Sequence, residues 1–148
     1  MNGADQFHVG VVVDDLDAVL DELGDLFGYQ WCPPLAVQTP VVVPSGDFLL
    51  DLRFTYSVTV PRVEVIQSVA GTLWIPAAGS GVHHVGYWSD DVEADARRLV
   101  SHGYAEEAKG VRPDGAAMWA YHRREGAPRI ELVSREIQAG MEQYWASA

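Results

Sequence analysis

The chain repeats itself, and this constrains its fold more than any other feature. Gln6-Phe7-His8-Val9-Gly10, followed by Asp14-Asp15-Leu16-Asp17-Ala18, returns 76 positions later as Val82-His83-His84-Val85-Gly86 followed by Asp90-Asp91-Val92-Glu93-Ala94. Pro61-Arg62-Val63-Glu64-Val65-Ile66 returns after 67 positions as Pro128-Arg129-Ile130-Glu131-Leu132-Val133. The echoes keep their order, and a nine-residue length change between them reconciles the two offsets. Ordered self-similarity of this kind marks a duplicated structural unit. It divides a single domain, residues 1–148, into a first module of about 1–78 and a second of about 79–148.

Each module reads as strand, helix, then about three strands. Phe7 to Val13 is rich in β-branched residues, and Asp14-Asp15 offers an N-cap before Leu16, Val19, Leu20 and Leu23 at helical spacing, with Gly24 and Gly28 marking that helix's end. Val85 to Ser89 repeats the strand and Asp90-Asp91 the cap. Val92, Ala96, Leu99 and Val100 form the second apolar stripe, closed at His102-Gly103 with His102 as a C-terminal cap. The following strand-like runs are 30–37, 48–60 and 62–68 in the first half, and 107–111, 117–122 and 129–134 in the second. The fold class is therefore α+β: two βαβββ modules forming a curved, mostly antiparallel sheet around a central pocket.

With 48% hydrophobic residues, 148 residues suffice for one shared core. The formal net charge of -11 repels phosphate, which argues against nucleic acid or an anionic membrane surface as partner. No run of about 20 apolar residues is present, and the N-terminus lacks a secretory pattern, so a soluble, cytoplasmic protein is expected. The lone Cys32, beside Pro33 and Pro34, reads as an ordinary packed or surface thiol.

Alternation along a strand assigns faces to the repeated polar residues. Arg62, Glu64 and Ile66 face one way and Val63 and Val65 the other. Arg129, Glu131 and Val133 likewise oppose Ile130 and Leu132. The apolar sides suit helix packing, which leaves each Glu inside an otherwise hydrophobic strand, where an ionised carboxylate needs a counter-charge or a metal. His8 shares a face with Gly10 and Val12, and His84 with Gly86 and Trp88, with glycine leaving room beside each imidazole. His8, Glu64, His84 and Glu131 together form a nitrogen and oxygen shell suited to zinc, nickel, cobalt, iron(II) or manganese. His83, by the same alternation, points to the opposite face as packing or surface.

These passages resemble the vicinal oxygen chelate superfamily, which includes glyoxalase I, methylmalonyl-CoA epimerase, extradiol dioxygenases and antibiotic-resistance proteins. GVHHVGYWSDDVEADARRLVSHGY, residues 81–104, is similar to the family's second-module opening, in which the second of the paired histidines is the ligand. PRVEVIQ and PRIELVS resemble the strands that carry the acidic or amide ligand. The resemblance is nearest to the glyoxalase-like and methylmalonyl-CoA-epimerase-like branch. It implies a divalent metal held by the same four residues, a small oxygenated substrate such as a thioester, and isomerase, epimerase or lyase chemistry through a metal-stabilised enolate. It also allows a homodimer. A non-catalytic small-molecule or antibiotic binder and an extradiol-type dioxygenase are the alternatives.

Under that resemblance Glu64 or Glu131 could act as the base. An epimerase needs a second acid or base, and the segment from Val43 to Phe48 offers only Asp47, with Asp51 further along. Arg62 and Arg129 are candidates for binding a substrate anion, with surface ion pairs as the alternative. Trp88, Trp119 and Tyr121 are candidates for lining an apolar pocket. His122 is held in reserve as a pocket acid or base against ordinary strand surface. Met141, Tyr144 and Trp145 form an amphipathic segment for the sheet or a second subunit.

Overall fold

The computed structural model describes residues 1–148, and both of its strand-to-helix junctions are made by the repeated aspartates. Strand β1 (Gln6–Val13) leads into α1 (Leu16–Phe27), where Asp15 accepts a hydrogen bond from the Ala18 N–H. Strand β5 (Val82–Ser89) leads into α2 (Val92–Ser101), where Asp91 accepts from the Ala94 N–H. Each side chain satisfies one of the donors that a helix start leaves unpaired. Gly28 ends α1 in the left-handed region at φ 72°, and His102 ends α2 by donating from Nδ1 to the Arg98 carbonyl at 2.8 Å.

The remaining elements are β2 (Leu35–Val43), β3 (Gly46–Tyr56), β4 (Arg62–Gln67), β6 (Ala105–Val111), β7 (Ala117–Arg123), β8 (Ile130–Ser134) and α3 (Gln138–Ala146). The strands close into a barrel in the order β1-β4-β3-β2-β6-β7-β8-β5. Only β1 with β4 and β5 with β8 run parallel. The other neighbours are antiparallel, as expected for the paired βαβββ arrangement. The halves meet along two seams, β1 against β5 and β2 against β6.

Face assignment by alternation holds in the two ligand strands. Val65, with Val63 beside it, packs under Leu16 and Leu20 of α1. Leu132, with Ile130, packs under Val92 and Ala96 of α2. Glu64 and Glu131 are thereby turned into the barrel.

Three expectations need correction. Strand β2 occupies 35–43 rather than 30–37, because Trp31 bridges to Ser57 and the Cys32 N–H bonds the Tyr56 carbonyl before the strand begins. Pro40 is tolerated because that stretch pairs with β3 alone, β6 joining only at Val41 and Val42. Strand β3 stops at Tyr56 rather than reaching Val60, since Ser57 turns the chain by bonding the Thr59 carbonyl and accepting from the Val63 N–H. His122 is neither a surface group nor a pocket group. It shares the helix side of β7 with Ala120, is fully buried, and has no hydrogen bond to either ring nitrogen. Burial lowers its pKa and keeps it neutral.

The C-terminal segment packs on its own chain. Trp145 of α3 is buried with Tyr56, Trp88, Val133 and Cys32, and Met141 and Tyr144 pack against this cluster. Burial pushes the Cys32 thiol pKa up, which fits a packed and unreactive group.

Candidate metal centre

The barrel register brings the two halves of the repeat into reciprocal contact. Across the β1–β5 seam His8 lies opposite Gly86, and Gly10 lies opposite His84. On the outer flanks Gly10 lies beside Glu64 and Gly86 beside Glu131. Each glycine therefore sits between the histidine of the other half and the glutamate of its own. A Cβ at Gly10 would meet the His84 ring at 1.9 Å, and one at Gly86 would meet the His8 ring at 1.9 Å. The glycines are required by this close approach, and the room they leave serves the opposite histidine rather than the adjacent one.

Ligand atoms of His8, Glu64, His84 and Glu131 all lie within 4.8 Å of one another, and all four residues are buried. The two Nε2 atoms are 2.9 Å apart. Glu64 Oε2 lies 3.5 Å from His8 Nε2 and 3.1 Å from His84 Nε2, while Glu131 Oε2 lies at 3.0 and 3.4 Å. Both Oε2 atoms are buried, and neither makes a hydrogen bond of acceptable geometry. Ligand bonds of about 2.1 Å would give ligand-to-ligand edges of about 3.0–3.4 Å in octahedral and tetrahedral shells. The five histidine-to-histidine and histidine-to-glutamate separations, 2.9–3.5 Å, lie close to that range, so the four residues fit a divalent ion.

The local field agrees. Burial alone would lower the His84 pKa, but the Glu131 and Glu64 carboxylates outweigh it and hold it at about 9. Burial would likewise raise Glu131, yet the His8 and His84 imidazoles hold it below the usual carboxylate range.

Strict alternation fails at one residue, and the failure is informative. His84 pairs with Gly10 while Val82 pairs with Val11, so His83 is the extra residue of a β-bulge. It is buried, in keeping with the packing reading, but its ring meets that of His84 instead of facing away. Its Nδ1 lies 3.0 Å from His84 Nδ1 and its Nε2 lies 2.9 Å from the Leu73 carbonyl. A carbonyl only accepts, so His83 Nε2 carries the hydrogen and a neutral His83 accepts at Nδ1. His84 therefore donates from Nδ1, which directs the lone pair of its neutral form to Nε2, toward the centre. Burial, reinforced by His84 and Arg129, lowers the His83 pKa to about 4. In the first half Phe7 occupies the equivalent bulge, edge-on to His8 with ring centroids 4.4 Å apart.

A cavity of about 290 Å³ opens beside Glu64 and Glu131. Trp119 and Tyr121 line it, as expected from the sequence. So do Phe7, Phe54, Tyr56 and Trp74, which sequence reasoning did not single out. Tyr56 pairs with Glu64 as Tyr121 pairs with Glu131, and the shared Phe-Thr-Tyr and Trp-Ala-Tyr order was a usable signal. Trp74, in the loop between β4 and β5, had no counterpart to reveal it. Burial, then the negative field of Glu64 and Glu131, raises both tyrosine pKa values well above the ordinary range.

Other expected site residues lie elsewhere. Trp88 stacks on Phe7 at 3.9 Å within the aromatic core and does not line the cavity. Arg62 donates to the Ser57 and Val58 carbonyls and lies over the Trp145 ring. Arg129 grips Glu107, donating from Nε at 2.6 Å, and so takes its ion-pair reading. Asp47 sits exposed just after the β2–β3 turn, lining a separate surface cavity with Thr72, Leu73 and Glu106, and Asp51 is exposed and bonded to Gln38. Neither acid lines the cavity.

Residues 7–122 match the family described as the glyoxalase/bleomycin resistance protein/dioxygenase superfamily. No protein of curated function matches the chain. Among solved structures, a methylmalonyl-CoA epimerase in complex with methylmalonyl-CoA and ammonium aligns at TM-score 0.60 and 16% identity, covering 88% of this chain and 93% of that one. A Streptomyces coelicolor methylmalonyl-CoA epimerase variant in complex with 2-nitronate-propionyl-CoA gives 0.60 and 17%, with the same coverage. The Mycobacterium tuberculosis methylmalonyl-CoA epimerase gives 0.58 and 18%, covering 91% of each chain. At these identities the likeness is one of fold.

Proposed function

This chain belongs to the glyoxalase/bleomycin resistance protein/dioxygenase superfamily, and on that premise we propose that it is a divalent-metal-dependent isomerase acting on a small oxygenated substrate. His8, Glu64, His84 and Glu131 hold the ion. The observation that carries the reading is the pair of buried glutamate oxygens, one from each half, aimed at two imidazole nitrogens without hydrogen bonds of their own.

When bound, the ion supplies Lewis acidity that withdraws charge from substrate oxygens and acidifies the neighbouring C–H. Glu64 or Glu131, both at the cavity wall, takes that proton and returns it to the adjacent carbon. Tyr56 and Tyr121 stay protonated, with their hydroxyls beside Glu64 and Glu131 and available to donate to those carboxylates or to a substrate oxygen. The aromatic walls exclude water from the transfer. Because no third carboxylate lines the cavity, a proton shift by one base is favoured over epimerisation with acids on opposite faces. Two carboxylates in the ligand set weigh against the facial two-His-one-carboxylate site of an iron oxygenase.

Elemental analysis of purified protein tests the reading, with His8→Ala and Glu131→Ala as controls. Wild type should take up one divalent ion per chain and the variants markedly less. Wild type that takes up none, under conditions that load a known metalloenzyme, overturns it. For loaded protein, anaerobic solvent-deuterium exchange into α-hydroxyketones reads the proton transfer directly.

A further inference from the structure

The cavity beside the four ligands carries no side-chain cation. Thirteen of its 16 lining residues are hydrophobic, and the only charged ones are Glu64 and Glu131. The nearby arginines are committed, Arg62 to backbone carbonyls and Arg129 to Glu107. The charge of the loaded centre is also balanced, since two carboxylates offset a divalent ion and the imidazoles bind neutral. Nothing remains to offset a substrate carboxylate in this enclosure, where an unpaired charge is strongly disfavoured.

Part of the cavity lining is an aromatic wall that reaches the ligands at Tyr121, whose ring centroid is 5.0 Å from that of His84. Trp74 stands edge-on to Trp119 and Tyr121 at 5.7 and 5.6 Å between centroids, and Trp119 stands edge-on to Tyr121 at 5.5 Å. Such a wall favours a flat ring or an apolar chain. Its volume of about 290 Å³ is at the small end for ligand pockets.

We propose that the reacting part of the substrate is an uncharged, ring-bearing hydroxy- or oxo-compound whose adjacent oxygens face the four ligands, and that carboxylated substrates are rejected. This deepens the metal-enzyme reading above and rests on it. It separates the chain from a fold relative that binds methylmalonyl-CoA, whose acyl portion carries a carboxylate.

The test is a tryptophan-fluorescence titration of the metal-loaded protein, after metal content has been measured. The probes are neutral 2-hydroxyacetophenone, its carboxylate counterpart phenylglyoxylate, and methylmalonyl-CoA. The neutral ketone should bind at least tenfold more tightly than either anion. Glu64→Gln, used at full metal loading, leaves one positive charge uncompensated and should move the preference at least tenfold toward phenylglyoxylate. Val37→Lys places an ammonium at the half-exposed cavity rim and should move it the same way without altering a ligand. A wild-type protein that holds metal and binds either anion as tightly as the ketone overturns the inference and leaves the metal reading intact. Unchanged preference in both variants overturns the charge argument. Failure to take up metal overturns both readings together.

Discussion

Replacing Gly86 with alanine should damage a histidine 78 positions away. The added Cβ would lie 1.9 Å from His8 Cε1, 2.3 Å from Nδ1 and 2.5 Å from Nε2. Carbon atoms in contact need about 3.5–4.0 Å, so the ring has to retreat by roughly 1.5–2 Å. It has little room to do so, being fully buried between Phe7 and Tyr56. Metal–nitrogen bonds tolerate about 0.2 Å, so the displaced ring no longer ligates. Affinity should fall beyond the roughly 10–100-fold loss that follows removal of an outer-shell partner. Overpacking should destabilise the metal-free protein by about 1–3 kcal/mol. Gly86 does not occupy the left-handed region, so alanine is otherwise compatible with its backbone. A double-mutant cycle isolates the cause. Once His8→Ala removes the ring, Gly86→Ala should become nearly neutral, whereas beside His84→Ala its cost should persist. Urea unfolding in a chelator reads the cycle, and metal analysis reads the site. An equal cost in the His8→Ala background, or full metal content in Gly86→Ala, would refute the reciprocal contact.

Three further outcomes follow from the same geometry. His83→Phe places in the second bulge the residue the first already holds, so the fold should survive while chelator competition shows metal affinity reduced by about 10–100-fold through loss of the His84 orienting bond. The raised His84 pKa of about 9 means that metal must displace a proton at neutral pH, so apparent affinity should rise about tenfold per pH unit up to about pH 9. The sign for folding is opposite: the stability that protonated His84 lends the metal-free protein is full below about pH 6.5 and is lost as pH climbs through 9. Metal titrations and unfolding curves between pH 6 and 9 check both slopes, and a pH-independent affinity would refute the proton exchange.

The buried His8, Glu64, His84 and Glu131 cluster was legible because duplication writes the same chemistry twice, and because Val63, Val65, Ile130 and Leu132 had to lie under helices. The same periodicity misplaced His83, since a single inserted residue reverses the face and a bulge leaves no mark in the pattern of polar and apolar residues. Arg62 and Arg129 each kept two readings for a different reason. Arg62 opens β4 and Arg129 lies just before β8, but guanidinium groups reach several ångströms, and Glu107 lies 22 residues from Arg129 in a strand whose register the sequence does not fix. Strand β2 was displaced because Pro33 and Pro34 precede the strand, whereas the 30–37 run placed them inside it. Trp74 was silent for lack of a repeat partner, although it is among the most buried side chains of the protein.

The exchange of space across the β1–β5 seam has an implication for how the halves can change. His8 occupies the gap left by Gly86 and His84 the gap left by Gly10, the reciprocity expected of a two-fold interface between identical subunits. Neither half retains a complete compartment for its own imidazole. A neutral-looking substitution at Gly10 or Gly86 is therefore felt at the histidine of the opposite half, and the duplicates remain locked in joint inheritance there even where Phe7 and His83 show them free to diverge.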